Sequence, residues 1–220
     1  MKTRIKIDGA ILLGLILLAA LMYLFFGKYQ GGHLRDNFFD ALGFIFILKG
    51  ILLRMSARGH KRGHSQSGNR LVTTGPYGAV RNPMYLGTFL LSIGFILIVF
   101  PWWWVFIFTP LFFIRFNKQI CREEKILIDA FGGEYQRYCQ NVPRLFPRLR
   151  ILSKIPLTQW INLKEAVSTK ECWGLLGWPL LALILENCQE YFIFGRPDTF
   201  FNYFVLACVF IAVGINCLIA

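Results

Sequence analysis

An all-α, polytopic membrane helix bundle of about six transmembrane helices is the fold class this sequence predicts, on three observations. The chain is 55% hydrophobic and 16% aromatic over 220 residues, with a mean hydropathy of +0.50. That is more apolar surface than a soluble domain of this size can bury. The excess is gathered into blocks close to the length that crosses a hydrocarbon core. A net charge of +12 is concentrated on alternate connections, as the positive-inside rule requires of a cytosolic face.

The elements follow in order. Lys2, Arg4 and Lys6 precede a first span over about 10–26, which lacks a convincing small-residue cleavage site and reads as a retained anchor helix. A second span over about 38–55 contains Lys49 and is followed by Arg54, Arg58, Lys61, Arg62, Arg70 and Arg81. Within that basic connection, residues 60–69 (HKRGHSQSGN) read as a flexible loop. Spans over about 84–100 and 102–116 are parted by Pro101 and the cluster Trp102, Trp103 and Trp104, which predicts a tight hairpin with its tip at the far interface. Over 118–131 the apolar Ile120, Leu127 and Phe131 recur at helical spacing, so the fourth span continues into the cytosol until Gly132 and Gly133 stop it. Spans over about 173–194 and 199–219 form a last hairpin.

Eleven Lys or Arg lie between residues 115 and 170, whereas the opposite connections carry Lys28, Arg35 and Arg196. Both termini are therefore expected in the cytosol, in a bacterium at the inner membrane. No internal repeat is evident. The chain divides into anchor helices over 1–55, a core with most of the cytosolic polar groups over 56–150, and a linker with an extra hairpin over 151–220. Topology and anionic lipid account for the charge, and nucleic acid is not expected as a partner. The six cysteines form no CxxC and read as reduced, packing thiols. His60 and His64 share the basic loop while His33 falls on the other side, so no metal site is expected.

Function is sought where polar groups sit at the mouth of the bundle, because they are costly to keep there. Residues 71–85 read LVTTGPYGAVRNPMY between apolar runs, and the pair Glu123 and Glu124 follows about forty residues on. Each residue also has a plain structural reading. Gly75 and Pro83 suit any junction between loop and helix. Glu123 and Glu124 can balance Arg122 and Lys125 on a solvated face, and Tyr85 and the tryptophans can anchor an interface. Glu186 and Glu190, at i and i+4, are placed near the outer interface.

The segment LVTTGPYGAVRNPMYLG, a hairpin, and then REEKILIDAFGGEYQRYCQNVPRLFP resemble the isoprenylcysteine carboxyl methyltransferases and the related membrane phospholipid methyltransferases. The shared pattern is GxYxxxRHPxYxG, a hairpin, an EE pair and FGxEYxxYxxxVPRxxP, with order and spacing preserved over 71–147. The resemblance implies S-adenosyl-L-methionine as methyl donor, bound at the cytosolic face by Leu71, Val72, Tyr77, Asn82, Pro83, Met84, Tyr85, Glu123 and Glu124. It implies transfer to a lipid-like or prenylated acceptor in the bilayer, by carboxyl O-methylation. The alternatives are N-methylation of a phospholipid or other amine, and a non-catalytic scaffold or transporter.

The residue chemistry suits such a role. No acidic-tipped GxGxxG strand indicates a soluble dinucleotide-type domain, so the pocket must be built from helix ends. Gly75 and Pro76 force a turn, Tyr77 offers a ring and a hydroxyl, and Asn82 with Pro83 starts a span whose free N–H groups can cradle a carboxylate. Adjacent glutamates on a helix diverge by about 100°, so one can meet the cofactor while the other pairs with an arginine. In-line methyl transfer needs alignment and exclusion of water more than a covalent enzyme group. Four departures bear on this reading. Asn82 stands where the best-known members have His, Gly78 and Ala79 stand where relatives often have Arg-Tyr, and the hairpin after residue 150 is additional. Gln119 occupies the place of a family arginine that holds the acceptor carboxylate, which leaves Arg115 and Arg122 as substrate-orienting candidates by proximity.

Overall fold

The computed structural model describes residues 33–148 and 170–194, with the helical backbone of 203 and 207. The span expected at 10–26 and the linker after residue 150 lie outside the described residues, as does the span at 199–219 save those two positions. All regular structure among the described residues is helical. It comprises α1 (His33–His64), α2 (Pro76–Ala79), α3 (Pro83–Val99), α4 (Trp104–Asn141) and α5 (Gly174–Phe194), with 3-10 turns at Gln66–Gly68 and Lys170–Trp173.

The main interface is α1 against α3, and glycine makes it possible. A methyl group on Gly43 would stand 2.7 Å from the Gly94 carbonyl oxygen, and one on Gly94 would stand 2.5 Å from that of Gly43. Gly50 and Gly87 oppose each other in the same way, at 2.6 and 2.8 Å. On each helix the two glycines are two turns apart and so share one face, and the pairing runs antiparallel. Bare backbone thus meets bare backbone. Phe44, Ile47, Ile51, Met55, Leu91 and Ile98 close a core around the seam, and Leu175 and Ala182 of α5 join it.

Beyond the seam, the Arg54 stem lies across Gly87, where a Cβ would come within 2.7 Å of its Cγ. Its guanidinium donates to Thr88 Oγ1 at 2.6 Å and to both carboxylate oxygens of Glu171 at 3.2 Å. Arg58 also pairs with Glu171. One carboxylate thereby ties the turn before α5 to α1. On the other side of α3, Phe89, Ile93 and Leu97 pack with Phe112 of α4, the Phe89 and Phe112 rings meeting edge to face at 5.0 Å.

Two expectations need correction. First, α1 runs to His64, so residues 60–64 are helical and not loop. Lys61, Arg62 and His64 occupy its last turn, where cations favour the negative end of the helix dipole. Second, the expected break is present at Gly132, but the chain does not leave the helix for good there. Gly132 takes φ 50°, ψ −121°, and the helix resumes to Asn141 because Tyr135 and Tyr138 bury against Leu71. Among the described residues no helix is long and apolar enough to cross a membrane. The helices expected at 38–55, 84–100, 102–116 and 173–194 are present without that combination. α3 is apolar but has 17 residues. α1 carries Asp40, Lys49 and Arg54 within 38–55, α4 turns polar from Arg115, and α5 carries Glu186, Asn187 and Glu190.

The seam sets a stability test. Gly50→Ala and Gly94→Ala each force backbone apart and are expected to lower stability by about 1–3 kcal/mol. Gly63→Ala, on the same helix in open space, is expected to change it by no more than about 1 kcal/mol, upward. Thermal melts of the purified variants check both.

Candidate functional site

The site starts at a turn that only glycine makes comfortably. Gly75 has φ 59°, ψ −136°, a left-handed conformation closed to side chains. Pro76 then opens the single-turn α2, in which the Tyr77 N–H donates to the Thr74 carbonyl at 3.2 Å and the Gly78 N–H to that of Gly75 at 3.0 Å. The Tyr138 hydroxyl donates to the Tyr77 carbonyl at 2.6 Å, pinning this turn to the far end of α4.

The next residues are laced to the tail after α4. The Arg81 N–H donates to the Pro143 carbonyl at 2.9 Å, and Asn82 Nδ2 donates to the Arg144 carbonyl at 3.1 Å. The Asn82 amide is therefore spent on the tail and makes no side-chain cap on α3. Its own carbonyl accepts from both the Tyr85 and Leu86 N–H groups at 3.1 Å. Pro83 has no N–H, so Met84 supplies the one first-turn donor that this carbonyl does not engage.

The two glutamates diverge as their helix requires. Glu123 Oε1 accepts from the Tyr85 hydroxyl and from Gln119 Nε2, each at 2.7 Å. Glu124 faces two arginines: Arg144 approaches its Oε2 at 2.9 Å and Arg81 approaches its Oε1 at 3.4 Å. Arg144 further donates to Asn117 Oδ1 at 2.8 Å and to Cys121 Sγ at 2.9 Å. Arg81 reaches Cys139 Sγ at 2.7 Å, while its buried Nε–H has no acceptor among the described residues. An N–H buried in that way is costly unless a water or a ligand receives it.

Tyr85 and Asn82 thus gather with Glu123 and Glu124 in one cluster, and the Tyr77 phenol lies close enough to feel the Glu123 charge. Leu71 packs on Tyr135 and Tyr138 beneath it, Pro83 is fully buried, and Val72 and Met84 are half-buried. Arg115 lies exposed, its guanidinium 5.7 Å from the Phe116 ring centre, and Arg122 is exposed on the same helix. The cations at the glutamates are Arg81 and Arg144, which sequence reasoning missed. Their signal was adjacency: one precedes Asn82 and the other closes the tail VPR.

Burial dominates the phenols. It pushes Tyr77 well above the ordinary tyrosine value, and the Glu123 charge adds to this. Burial also raises Tyr138 and takes Tyr135 up to about 12, with the Glu124 charge second. Burial opposes the Arg144 charge, but the contacts with Cys121 and Glu124 outweigh it and raise its pKa.

Residues 10–134 match the phospholipid methyltransferase family model. That is more than half of the chain, which belongs to this family. Among curated proteins it is similar to the protein-S-isoprenylcysteine O-methyltransferase of Schizosaccharomyces pombe, at 32% identity over 116 residues, 49% of this chain and 48% of that one. It is similar to the protein of the same name from Saccharomyces cerevisiae at 34% over 110 residues, 46% of each. A stretch of 87 residues is 31% identical to the Delta(14)-sterol reductase of Mus musculus, covering 37% of this chain and 20% of that protein. The chain spans about half the length of the two methyltransferases. No solved structure matches.

The raised phenols carry a pH prediction. Between about pH 10, where an unfolded tyrosine ionises, and about 12, where Tyr135 does so in the fold, the folded state keeps a proton that the unfolded state has lost. Stability is therefore full below pH 10 and falls as pH rises toward the folded-state value. Tyr135→Phe is expected to flatten that decline, as read from denaturation midpoints across pH 9–12.

Proposed function

We propose that this chain is an integral membrane, S-adenosyl-L-methionine-dependent methyltransferase acting on a lipid-like or prenylated acceptor at the cytosolic face, with both termini in the cytosol. The observation that carries this reading is the division of the glutamate pair. Glu124 is consumed by Arg81 and Arg144, while Glu123, among the described residues, is aimed by Tyr85 and Gln119 through Oε1, which leaves Oε2 to meet a ligand. The cofactor supplies a methyl group already activated on a sulfonium.

The chain's residues then have binding and orienting work. Glu123 receives the ammonium or ribose hydroxyls of the cofactor, and the rings of Tyr77 and Tyr85 flank it. The buried Arg81 Nε–H offers a donor to a carboxylate, and the Met84 N–H at the start of α3 offers another. Leu71, Val72 and Pro83 form apolar wall that excludes water from the reacting centre. Arg115 and Arg122 stand on the same helix as outer contacts for an anionic acceptor. Phe106 and Ile114, each 70% exposed, with Ile107 and Leu111, present apolar surface along the first half of α4. That surface supports lateral access from lipid.

The relatives' printed name favours carboxyl O-methylation of an isoprenylcysteine. The family's own description, phospholipid methyltransferase, favours a second acceptor, a phospholipid amine. Labelled lipid separates them, since a methyl ester is released by mild base and an N-methyl group is not.

Cofactor binding comes first. Titration calorimetry with S-adenosylhomocysteine on the detergent-purified protein is expected to show saturable binding, weakened about tenfold or more in Glu123→Ala and Tyr77→Ala. Glu124→Ala is expected to lose thermal stability as well, because it strands two part-buried arginines. Absence of binding by a folded wild type would remove the methyltransferase reading and bring the scaffold or transporter forward.

A further inference from the structure

We propose that His60 is a positioning residue for the cofactor turn, holding the segment 74–77 from the end of α1. The inference rests on the methyltransferase reading above and adds to it a residue outside the glutamate cluster. His60 Nε2 lies 2.9 Å from Thr74 Oγ1. The hydroxyl can donate or accept, so either imidazole tautomer is satisfied. The same ring fills the space that a side chain on the next residue would need: a Cβ on Gly75 would stand 2.9 Å from His60 Cδ2 and Nε2 and 3.0 Å from Cε1. Gly75 is thus required twice, by its positive φ and by the imidazole pressed on its Cα.

The ring is itself fixed. His64, one turn on, stacks on it with centroids 4.0 Å apart and planes 25° apart. His64 Nδ1 is 3.0 Å from the His60 carbonyl. A carbonyl only accepts, so that nitrogen carries the hydrogen. The chain of contact then runs from His64 to His60, to Thr74 and Gly75, to the Tyr77 N–H bonded to the Thr74 carbonyl, and so to Tyr77, whose phenol feels the Glu123 charge. His60 bonds the Thr74 hydroxyl and packs on Gly75, ahead of the proposed cofactor contact Tyr77 in the chain. It holds the turn that carries that contact.

The test uses S-adenosylhomocysteine binding and melting temperature on the full chain for wild type, His60→Leu, His60→Gln and Thr74→Val. His60→Leu removes the polar atom at Nε2, and His60→Gln places an amide nitrogen near the same point. The proposal expects His60→Leu and Thr74→Val to weaken binding about tenfold with little change in melting temperature, and His60→Gln to recover most of it. Binding that is unchanged in His60→Leu overturns the proposal while leaving the methyltransferase reading standing. Glutamine failing to rescue also overturns it, because the effect would then be packing. If His60→Leu does not fold, Thr74→Val cuts the same bond from the other side and decides alone. A wild type that binds nothing overturns both readings together.

Discussion

Backbone contact between α1 and α3 is the constraint on which the rest is arranged. Gly43 against Gly94 and Gly50 against Gly87 bring two helix backbones closer than any side chain permits. That closeness fixes the rotation of α3. With Gly87 pressed on α1, Tyr85, two residues and about 200° away, is turned to the opposite side, where α4 presents Glu123. Thr88, next to Gly87, stays on the α1 side and meets Arg54. The seam therefore supports the core and also aims the tyrosine of the candidate site.

The site is held by ties between segments distant in sequence. Glu124 joins the stretch before α3 to the tail after α4 through Arg81 and Arg144, and two backbone carbonyls of that tail receive the Arg81 N–H and the Asn82 amide. A second carboxylate, Glu171, does the same work for α5, binding Arg54 and Arg58 of α1. These carboxylates are part-buried and multiply paired, so removing one strands two cations, a larger loss than at an isolated surface pair. Glu123 differs from both. Its partners are a phenol and an amide, which orient it without neutralising it.

The sequence disclosed the helical class and the limits of α3 to within a residue, because Pro83 and Pro101 bracket an uninterrupted apolar run. It disclosed less of α1. Residues 60–64 combine glycine with charge and look like loop, yet nothing there forbids a helix and the basic last turn favours one. Gly132 and Gly133 signalled a break, but Tyr135 and Tyr138 gain enough burial to restart the helix, a tertiary effect with no local signature. At the candidate site, the divergence of Glu123 and Glu124 followed from helix geometry. Arg144 did not, because it meets Asn82 and Glu124 only through folding of the tail, and no spacing rule links positions so far apart. The Asn82 amide, judged against a histidine, proves to be engaged in fastening that tail.

The proposed placement of a bound S-adenosyl cofactor among Tyr77, Tyr85 and Glu123 is read most directly by photolabelling. Irradiating the purified protein with S-adenosylmethionine labelled in its methyl group, then mapping the modified peptide, reads out location without requiring knowledge of the acceptor. Label is expected on residues 71–86 or 117–124, suppressed by excess S-adenosylhomocysteine. Competed label confined elsewhere in the chain, or none above that seen with denatured protein, contradicts that placement.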